Sequence, residues 1–449
     1  MDLPNLVMVS DFFYPNLGGI ESHIFALSQC LIKLGHKVVV VTHSYGDRVG
    51  VRYMTNGLKV YYLPLQTMAD QVILPTVYAS LSWFRQIFIR ERVGIVHGHS
   101  AFSSLAQEGI LIAKLMKLKA VFTDHSLNGF SDASATLTNK LLQITLSGAD
   151  RCICVSRTGR KNTSLRAKVP LEHIYAIPNA TDSTLFTPDL EKRDGEKITI
   201  VAISRLVYRK GIDLLVKVIP LVCAKYPTVQ FLIGGDGPKR VLLEQLRERQ
   251  DLHERIELLG DLKPSQVRDT LQKGHIFLNT SLTEAFCIAI IEAASCGLQV
   301  VSTNVGAIPE VLPQDKLRLA EPTVNGICST LDDVIKAHLK GDVPDPYECH
   351  EYIKKTYNWS NIAERTVVVY DDVHKIPETS TADLFSKYLK CGSIAGPFFV
   401  ILFAIFNLIL LFYEWYIPRE QIDIAPDYPS ERSEESASQE RSNDPTSRE

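Results

Sequence analysis

Short runs of aliphatic and β-branched residues alternate along the chain with longer amphipathic stretches. Strands that are almost continuously apolar, and that are separated by helices, are typical of parallel sheets covered on both faces. The pattern therefore predicts an α/β protein with two series of strands. The first series comprises Leu6–Ser10, Lys37–Thr42, Gly94–His99, Lys119–His125 and Arg151–Ser156, and the second comprises Lys197–Ser204, Val229–Gly234, Arg255–Leu259, His275–Asn279 and Gln299–Thr303.

A segment rich in Pro, Asn, Asp and Gly, residues 177–195, separates the two series and is typical of a linker. We therefore predict one doubly wound, Rossmann-like domain over residues 1–185 and a second over residues 190–345. Residues 350–390 are predicted to form a helical connection. Ligands of such sheets bind outside the carboxyl ends of the strands, so the active site is expected in the cleft between the two facing domains.

The segment from Cys391 to Tyr413 contains no charged residue for 23 positions. About 20 apolar residues are enough to span a bilayer as a helix. A buried core helix is the alternative, although such a helix is rarely apolar on every face. We predict a transmembrane helix over residues 393–415.

The charges around this segment predict its orientation. Lys387 and Lys390 precede it, and the positive-inside rule then places the large N-terminal part in the cytosol and the tail outside it. The tail, residues 416–449, carries nine acidic and four basic residues and is predicted to be disordered. The N-terminus opens directly into a strand, without the features of a signal peptide.

The overall composition is that of a globular protein. Of the 449 residues, 45% are hydrophobic and 22% are charged, and the net charge of −3 gives no reason to expect a nucleic-acid partner. The nine cysteines show no metal-binding spacing, which indicates free thiols in a reducing compartment.

The strongest chemical signal is a combination of two charged segments in the second series. Arg205 and Lys210 follow one strand, and Glu284 and Glu292 stand eight positions apart further along the chain. Arginine and lysine can bind a diphosphate, one as a planar fork and the other as a mobile point charge. Carboxylates accept hydrogen bonds from sugar and ribose hydroxyls. Together, the two segments predict a pocket for a sugar attached to a diphosphate.

The first strand is followed by Gly18 and Gly19, which precede a helix. Paired glycines let backbone amides approach a phosphate, and a helix N-terminus favours an anion. An ordinary glycine turn is the alternative. The pattern differs from G-x-G-x-x-G, which argues against a nicotinamide-dependent enzyme.

Polar residues end two strands of the first series. His125 is expected to face the cleft and to contact the transferred sugar, although it could instead bond a loop carbonyl. Asp124 is similarly placed. His97 and His99 share one face of a strand and would suggest a metal, but no third ligand is evident. Glu310, in a loop of the second series, is either a ligand contact or a structural residue.

The sequence contains no Asp-x-Asp tripeptide, the pair through which many sugar transferases hold a diphosphate by way of a divalent metal. The negative charge of a diphosphate could instead be neutralised by Arg205, Lys210 and helix N-termini. We therefore expect no metal and no other cofactor.

Taken together, these motifs resemble the GT-B family of retaining glycosyltransferases known as family 4, over residues 5–360. The resemblance implies that Glu284 acts at the donor sugar and that Glu292 binds the nucleotide ribose. It also implies that Arg205 and Lys210 hold the diphosphate and that His125 lies near the reacting sugar. The Gly18-Gly19 loop would complete the donor site.

A narrower resemblance rests on the segments 122–130 and 284–303, in which Ala285 and Cys287 stand where most of the family has glycine. It is to the subgroup that begins the synthesis of glycosylphosphatidylinositol (GPI) anchors. This implies transfer of N-acetylglucosamine from UDP-GlcNAc to phosphatidylinositol, with retention, in the membrane of the endoplasmic reticulum and with partner subunits. Three alternatives are a membrane glycosyltransferase with a polyprenyl-linked acceptor, a UDP-sugar epimerase and a non-catalytic scaffold of the same fold.

Overall fold

The computed structural model describes residues 3–69, 71–73, 79–127 and 133–426. Its strands are β1 (Asn5–Val9), β2 (Val38–His43), β3 (Gly50–Tyr53), β4 (Lys59–Leu63), β5 (Thr67–Ala69), β6 (Val72–Ile73), β7 (Val93–His99), β8 (Lys119–Asp124), β9 (Arg151–Cys154), β10 (Ile174–Ala176), β11 (Ile198–Ile203), β12 (Val229–Gly234), β13 (Ile256–Gly260), β14 (Ile276–Asn279), β15 (Gln299–Thr303) and β16 (Leu317–Ala320).

The α-helices connect and cover these strands. They are α1 (Gly19–Lys33), α2 (Ala79–Arg90), α3 (Ser104–Leu115), α4 (Ala133–Gly148), α5 (Arg157–Ala167), α6 (Ile212–Lys225), α7 (Arg240–Arg249), α8 (Pro264–Gln272), α9 (Ile288–Ser295), α10 (Val324–Lys340), α11 (Pro346–Thr356), α12 (Trp359–Lys375), α13 (Thr381–Leu389) and α14 (Ala395–Tyr416).

The strands form two large sheets. The first has the order β10-β9-β8-β7-β1-β2-β4-β3 and is parallel except for β3, which pairs antiparallel with β4. The second has the order β13-β12-β11-β14-β15-β16 and is parallel throughout. We call the parts of the chain built on these sheets the first unit and the second unit. The predicted α/β architecture with two doubly wound sheets is confirmed.

In each sheet the strand order reverses once, between β1 and β7 in the first and between β11 and β14 in the second. The carboxyl ends of all the parallel strands of a sheet lie at one edge, and the loops on either side of a reversal diverge and leave a crevice there. The residues that follow β1 and β7 in the first sheet, and β11 and β14 in the second, are therefore the ones expected to face a ligand.

The predicted helical connection consists of three helices that belong to both units. α11 packs on α9 of the second unit, whereas α12 packs on α1 and β8 of the first. Val369 and Tyr370 of α12 are buried in the core around β1. The chain therefore passes between the units twice, once after β10 and once between α11 and α12. The two crossing segments are in contact, because the Thr181 backbone N–H donates to the Tyr357 carbonyl at 3.1 Å.

α14 is the one helix of the described ranges that is long and apolar enough to cross a membrane. One side of it, with Phe403, Phe406 and Leu410, packs into the core of the first unit. The opposite side exposes large apolar side chains to solvent: Phe398, Ile401, Leu408, Phe412 and Trp415. Most of the predicted disordered tail, from residue 427 onwards, lies outside the described residues.

The end of α14 is fixed to the first unit by polar contacts. The guanidinium of Arg85, which is buried, donates to the Ile417 carbonyl at 2.7 Å and lies 3.1 Å from a carboxylate oxygen of Glu414. Arg419 approaches the same carboxylate at 3.0 Å. The helix is thus held at its C-terminal end as well as along one side.

Candidate active site

A tight turn after β11 presents Lys210. The chain forms a 3-10 turn over Tyr208–Lys210 and continues through Gly211, whose φ of +69° lies in the left-handed region. A Cβ at Gly211 would lie 1.8 Å from the Thr280 carbonyl oxygen, so no larger residue fits there. The Thr280 hydroxyl in turn donates to the Lys210 carbonyl at 2.9 Å. The loop after β11 is therefore pressed against the loop after β14.

This packing brings together two of the predicted site residues. The Lys210 ammonium donates to Oε1 of Glu284, and the Ser281 hydroxyl donates to the same oxygen at 2.8 Å. Burial by itself lowers the pKa of Lys210, but the Glu284 carboxylate outweighs it and the pKa is raised. Oε2 of Glu284 has no hydrogen-bond partner among the described residues, so it can accept from a ligand hydroxyl.

Glu292 lies in α9, which begins four residues after Glu284. Burial raises the pKa of Glu292 to about 7, although part of its side chain reaches solvent. Burial also raises the pKa of the Cys287 thiol to about 12, and the charges of Glu284, Lys210 and Glu292 all act on that thiol. Both carboxylates and the lysine therefore lie within electrostatic range of Cys287. The arrangement can bind a ligand that has both anionic and hydroxyl groups.

Cys287 has an unusual backbone conformation. It is the N-cap of α9 and has a φ of +75°, in the left-handed region that favours glycine. Glycine is the residue that adopts this conformation without strain. The chain adopts the same turn with a residue that strains it.

Arg205 is exposed and faces both units. Its charge acts on Lys210 in the second unit and on Glu21 of α1 in the first. Glu21 is 5% exposed, and burial raises its pKa, which the arginine partly offsets. Arg205 therefore stands at the mouth of the cleft, free to bind an anion that lies beside Lys210.

The Gly18-Gly19 loop lies opposite the start of α9. A Cβ at Gly19 would lie 3.5 Å from Cδ1 of Ile288, and one at Gly18 would lie 2.5 Å from Oε2 of Glu21. The backbone N–H groups of Ile20 and Glu21 stabilise the Glu21 carboxylate. The start of α1 thus already holds one carboxylate, and phosphate binding by the two glycines stays a prediction.

His125 directly follows β8 and lies in a group of histidines. Its Nε2 is 3.3 Å from Nδ1 of His99, and its ring centre is 4.7 Å from that of His23. The pair His97 and His99 is not the group that forms: ring nitrogens of His23, His99 and His125 lie within 4.8 Å of one another, and His97 is not one of the three. The reason is that α1 packs over the sheet and delivers His23 from a distant part of the chain.

The fourth histidine, His97, is oriented differently. It stacks on His99 at 4.2 Å, but its two ring nitrogens bond the hydroxyls of Tyr370 and Thr123, both at 2.7 Å. His23 has a fixed partner as well, because its Nδ1 lies 2.8 Å from Oδ1 of Asn179. An amide oxygen only accepts, so Nδ1 of His23 carries a proton and Nε2 a lone pair.

The histidines are uncharged at neutral pH. Burial lowers the pKa of His23 to about 4 and that of His97 to about 3. Burial and the neighbouring rings also lower the pKa of His99 and of His125. Neutral imidazoles bind hydroxyl groups as well as metals, and the group of three contains no carboxylate. The predicted absence of a metal stays a prediction.

Two further acidic residues, Asp124 and Glu310, accept hydrogen bonds from the protein itself. Asp124 accepts from Thr163 and Arg166 of α5, which is a structural role. Glu310 accepts two backbone N–H groups, of Arg157 and Thr158, from the opposite unit.

The sequence reasoning missed Glu21, His23 and Asn179 as site residues. The first two could have been found, since they stand in the opening turns of the helix that follows Gly18-Gly19, at the carboxyl edge of the sheet. Asn179 could not, because it lies in a segment without regular structure between the two sheets.

Two family models match this chain. One is described as PIGA (GPI anchor biosynthesis) and matches residues 43–132. The other is described as glycosyl transferases group 1 and matches residues 197–337. The second match contains Arg205, Lys210, Glu284 and Glu292.

Solved structures with the same architecture include a sucrose-phosphate synthase from Thermosynechococcus elongatus, with a TM-score of 0.68 and 18% identity over 83% of this chain and 99% of that one. HepE from Anabaena in complex with UDP gives a TM-score of 0.66 and 16% identity over 82% and 100%. At these identities the likeness shows the fold, which is the predicted GT-B arrangement.

Relatives of known name are much more similar in sequence. A phosphatidylinositol N-acetylglucosaminyltransferase subunit from Homo sapiens is 54% identical over 94% of this chain and 87% of its own length. The gpi3 subunit of the same enzyme from Schizosaccharomyces pombe is 50% identical over 94% of this chain and 92% of its own. The chain therefore belongs to the family of glycosyltransferase subunits of phosphatidylinositol N-acetylglucosaminyltransferase.

Proposed function

We propose that the chain transfers N-acetylglucosamine from UDP-GlcNAc to the inositol of phosphatidylinositol, with retention, as the first step of GPI-anchor synthesis. The observation that carries the proposal is the Lys210–Glu284 ion pair, at the point where the strand order of the second sheet reverses. It occurs in a chain whose relatives, at 54% and 50% identity, are named for this transfer.

In this proposal the second unit binds the donor. Arg205 and Lys210 meet the diphosphate, Glu292 accepts from ribose hydroxyls, and Oε2 of Glu284 accepts from the sugar. As the bond to the sugar breaks, negative charge grows on the leaving UDP. Cationic groups that are already in place stabilise that charge without reorganisation.

The first unit supplies the acceptor side. The bond from the anomeric carbon to the UDP oxygen breaks, and a bond to the inositol oxygen forms on the same face. The proton of the inositol hydroxyl passes to the leaving diphosphate. Glu284 is already paired with Lys210, which makes it a poor covalent nucleophile and favours this route over a glycosyl-enzyme intermediate. His125, neutral and half-buried, would bond the reacting sugar.

The reaction in this proposal uses no metal or other cofactor. Lys210 and Arg205 provide the positive charge that a divalent ion supplies in other sugar transferases. The histidine group offers hydrogen bonds to uncharged hydroxyls.

We also propose that α14 spans the membrane of the endoplasmic reticulum, with the catalytic units in the cytosol and the tail in the lumen; to cross the bilayer in this way, the helix must release the contacts that its C-terminal end makes with Arg85. The helix has 22 residues and exposes Phe398, Leu408 and Trp415 along one side. The relatives are named as subunits of an enzyme, which supports a complex with further membrane subunits.

Four Asn-x-Ser/Thr sequons test this orientation: Asn162, Asn179, Asn279 and Asn358. We expect no N-glycan at any of them, because a cytosolic domain does not meet the glycosylation machinery. Since Asn179 and Asn279 are both 7% exposed, the test rests on Asn162 and Asn358. An engineered Asn-x-Thr near Ser436 should be modified. A gel shift of the native chain on glycosidase treatment, or none for the engineered tail, contradicts the orientation.

The transfer itself is tested with membranes that contain or lack the chain, supplied with radiolabelled UDP-GlcNAc. Label should enter phosphatidylinositol, and Glu284→Gln should abolish most of it. Label in a polyprenyl lipid would favour the related glycosyltransferase, and an altered sugar without acceptor would favour the epimerase. Transfer that is unchanged by Glu284→Gln would indicate that this chain is a scaffold.

A further inference from the structure

The exposed side chain of Glu310 connects the two units. Glu310 ends the 3-10 turn Ile308–Glu310, which follows β15 in the second unit. Its carboxylate accepts the backbone N–H of Arg157 at 2.7 Å and that of Thr158 at 2.8 Å, and it also accepts the Thr158 hydroxyl. Arg157 and Thr158 are the first two residues of α5 in the first unit.

The chemistry of this contact is favourable. The first N–H groups of a helix have no partner within the helix, and its N-terminus carries partial positive charge. Ser156, the N-cap of α5, satisfies only the N–H of Gly159, at 3.0 Å. The carboxylate from the opposite unit satisfies the two that precede it.

Helix α5 is firmly attached to the strand end that carries His125. The Thr163 hydroxyl donates to Oδ2 of Asp124 at 2.8 Å, and the Arg166 guanidinium donates to the same oxygen at 3.1 Å. Asp124, Thr163 and Arg166 are all buried. Because Asp124 immediately precedes His125, the position of α5 determines where the end of β8 lies.

The other end of the contact leads to Glu284. The Ala307 backbone N–H donates to the Glu284 carbonyl at 3.0 Å. A Cβ at Gly306, whose φ is +54°, would lie 2.3 Å from that carbonyl and 2.9 Å from Cδ2 of Leu127 in the first unit. Residues 305–310 thus touch the donor-side carboxylate residue and the segment after His125.

We propose that Glu310 is a positioning residue: its contact with the start of α5 forms when the cleft closes and holds His125 in register with Glu284. Exposed ionic contacts are weak, so this one can break and form again in every catalytic cycle. Only the identity of the substrates in this inference rests on the proposed function.

The kinetic test is Glu310→Gln, which keeps the size of the side chain and removes its charge. We expect kcat to fall about tenfold, while the affinity for UDP stays within about twofold, because the side chains proposed to bind UDP, Arg205, Lys210 and Glu292, all lie in the second unit. Hydrolysis of UDP-GlcNAc should rise relative to transfer, since an open cleft admits water. An unchanged kcat, or a parallel loss of UDP affinity, overturns the proposal.

A matched control and a double variant distinguish positioning from general damage. Glu254→Gln removes a charge at the amino end of edge strand β13, away from the cleft, and should leave both kinetic constants unchanged. Thr158→Val should slow turnover by itself. Combined with Glu310→Gln it should add less than its own effect, because the hydroxyl bond that Thr158→Val removes is one part of the contact that the loss of the carboxylate already weakens. Fully additive effects overturn the proposal.

Hydrogen exchange on the full chain in its membrane complex gives a readout that needs no acceptor lipid. UDP should slow exchange of the amides of Arg157 and Thr158 in the wild type but not in Glu310→Gln, while amides near Arg166 exchange equally in both. Equal protection of the first two amides in both proteins overturns the proposal. If that protection behaves as expected and no transfer to phosphatidylinositol is found, the substrate assignment fails and the contact stands.

Discussion

The two sides of the cleft carry their polar groups in opposite electrostatic states. In the second unit, Lys210 and Glu284 form an ion pair and the pKa of the lysine is raised. In the first unit, His23 and His125 are packed as uncharged rings with lowered pKa values. A charged surface suits a diphosphate, and a neutral one suits the hydroxyl groups of a sugar or an inositol. The electrostatics of the two units are therefore consistent with the proposed assignment of the donor to the second unit and the acceptor to the first.

The two sides also respond to pH in opposite directions. Burial raises the pKa of Glu292 from 4.5, its value in the unfolded chain, to about 7 in the folded one. The contribution of Glu292 to the stability of the fold is therefore fully present below pH 4.5 and is lost as the pH rises towards 7. His23 behaves in the reverse way. Its pKa is about 4 in the folded chain and 6.5 in the unfolded one, so its contribution to stability is present above pH 6.5 and is lost as the pH falls towards 4.

The largest effect is expected on the charged side. Glu284→Gln should lower turnover about 100-fold or more, because the acceptor for the sugar weakens and Lys210 loses the carboxylate that it faces. The thermal midpoint should change little, since the amide has the same shape. Initial rates with UDP-GlcNAc measure the first effect, with Glu254→Gln as the control. A loss below about tenfold would contradict the assigned role.

The next effect concerns the neutral side. Through His23, the wild type should lose about 2 kcal/mol of its free energy of unfolding between pH 7 and pH 5. His23→Gln should not show this loss, since glutamine does not titrate. Unfolding of the detergent-solubilised chain at both pH values measures it. His253→Gln, at an exposed position in the second unit, is the matched control. Equal pH dependence in His23→Gln and the wild type would mean that His23 is not held neutral.

A smaller effect is expected at the mouth of the cleft. Arg205→Ala should weaken UDP binding about tenfold, or about 1.4 kcal/mol, because Arg205 is exposed and solvent screens its charge. Calorimetric titration with UDP measures this affinity, and the difference in affinity between the variant and the wild type should become smaller as the salt concentration rises. Unchanged affinity in a folded variant would move the diphosphate elsewhere.

The smallest effect is expected for metal removal. Turnover in excess EDTA should stay within about twofold, because the cations on the charged side are side chains. Metal analysis of the purified chain complements the assay. Activity that is abolished by EDTA and restored by a divalent ion would overturn the expectation, and His23, His99 and His125 would then be the ligands to mutate.

The charged side could be predicted from the sequence because its parts are local. Lys210 follows a strand and precedes the glycine that lets the turn close, and Glu284 and Glu292 flank the start of one helix. The spacing of such residues is a property of single strand–loop–helix units. The loops after β11 and β14 then only have to lie side by side. They do so because β11 and β14 are neighbouring parallel strands in the second sheet.

The neutral side depends on contacts between distant parts of the chain. His23 comes from α1, Asn179 from the crossing between the units, and Tyr370, which bonds His97, from α12. Residues 350–390 have the predicted helical pattern, but periodicity does not reveal which sheet a helix covers. Strand β3 was not predicted for a related reason. It is exposed along its whole length, and a strand without a buried face lacks the alternation of apolar and polar residues by which strands are predicted.

The attachment of α14 to the first unit has a consequence for motion. If α14 spans the bilayer, its contacts with Arg85 are released, but α13, which packs on α4 and leads directly into α14, still makes the first unit diffuse in two dimensions with the lipid. The second unit is joined to it at the two chain crossings and through the cleft. Opening is then a swing of the donor-carrying unit against a partner that stays at the membrane, so a lipid acceptor can remain in place while nucleotides exchange with the surrounding water.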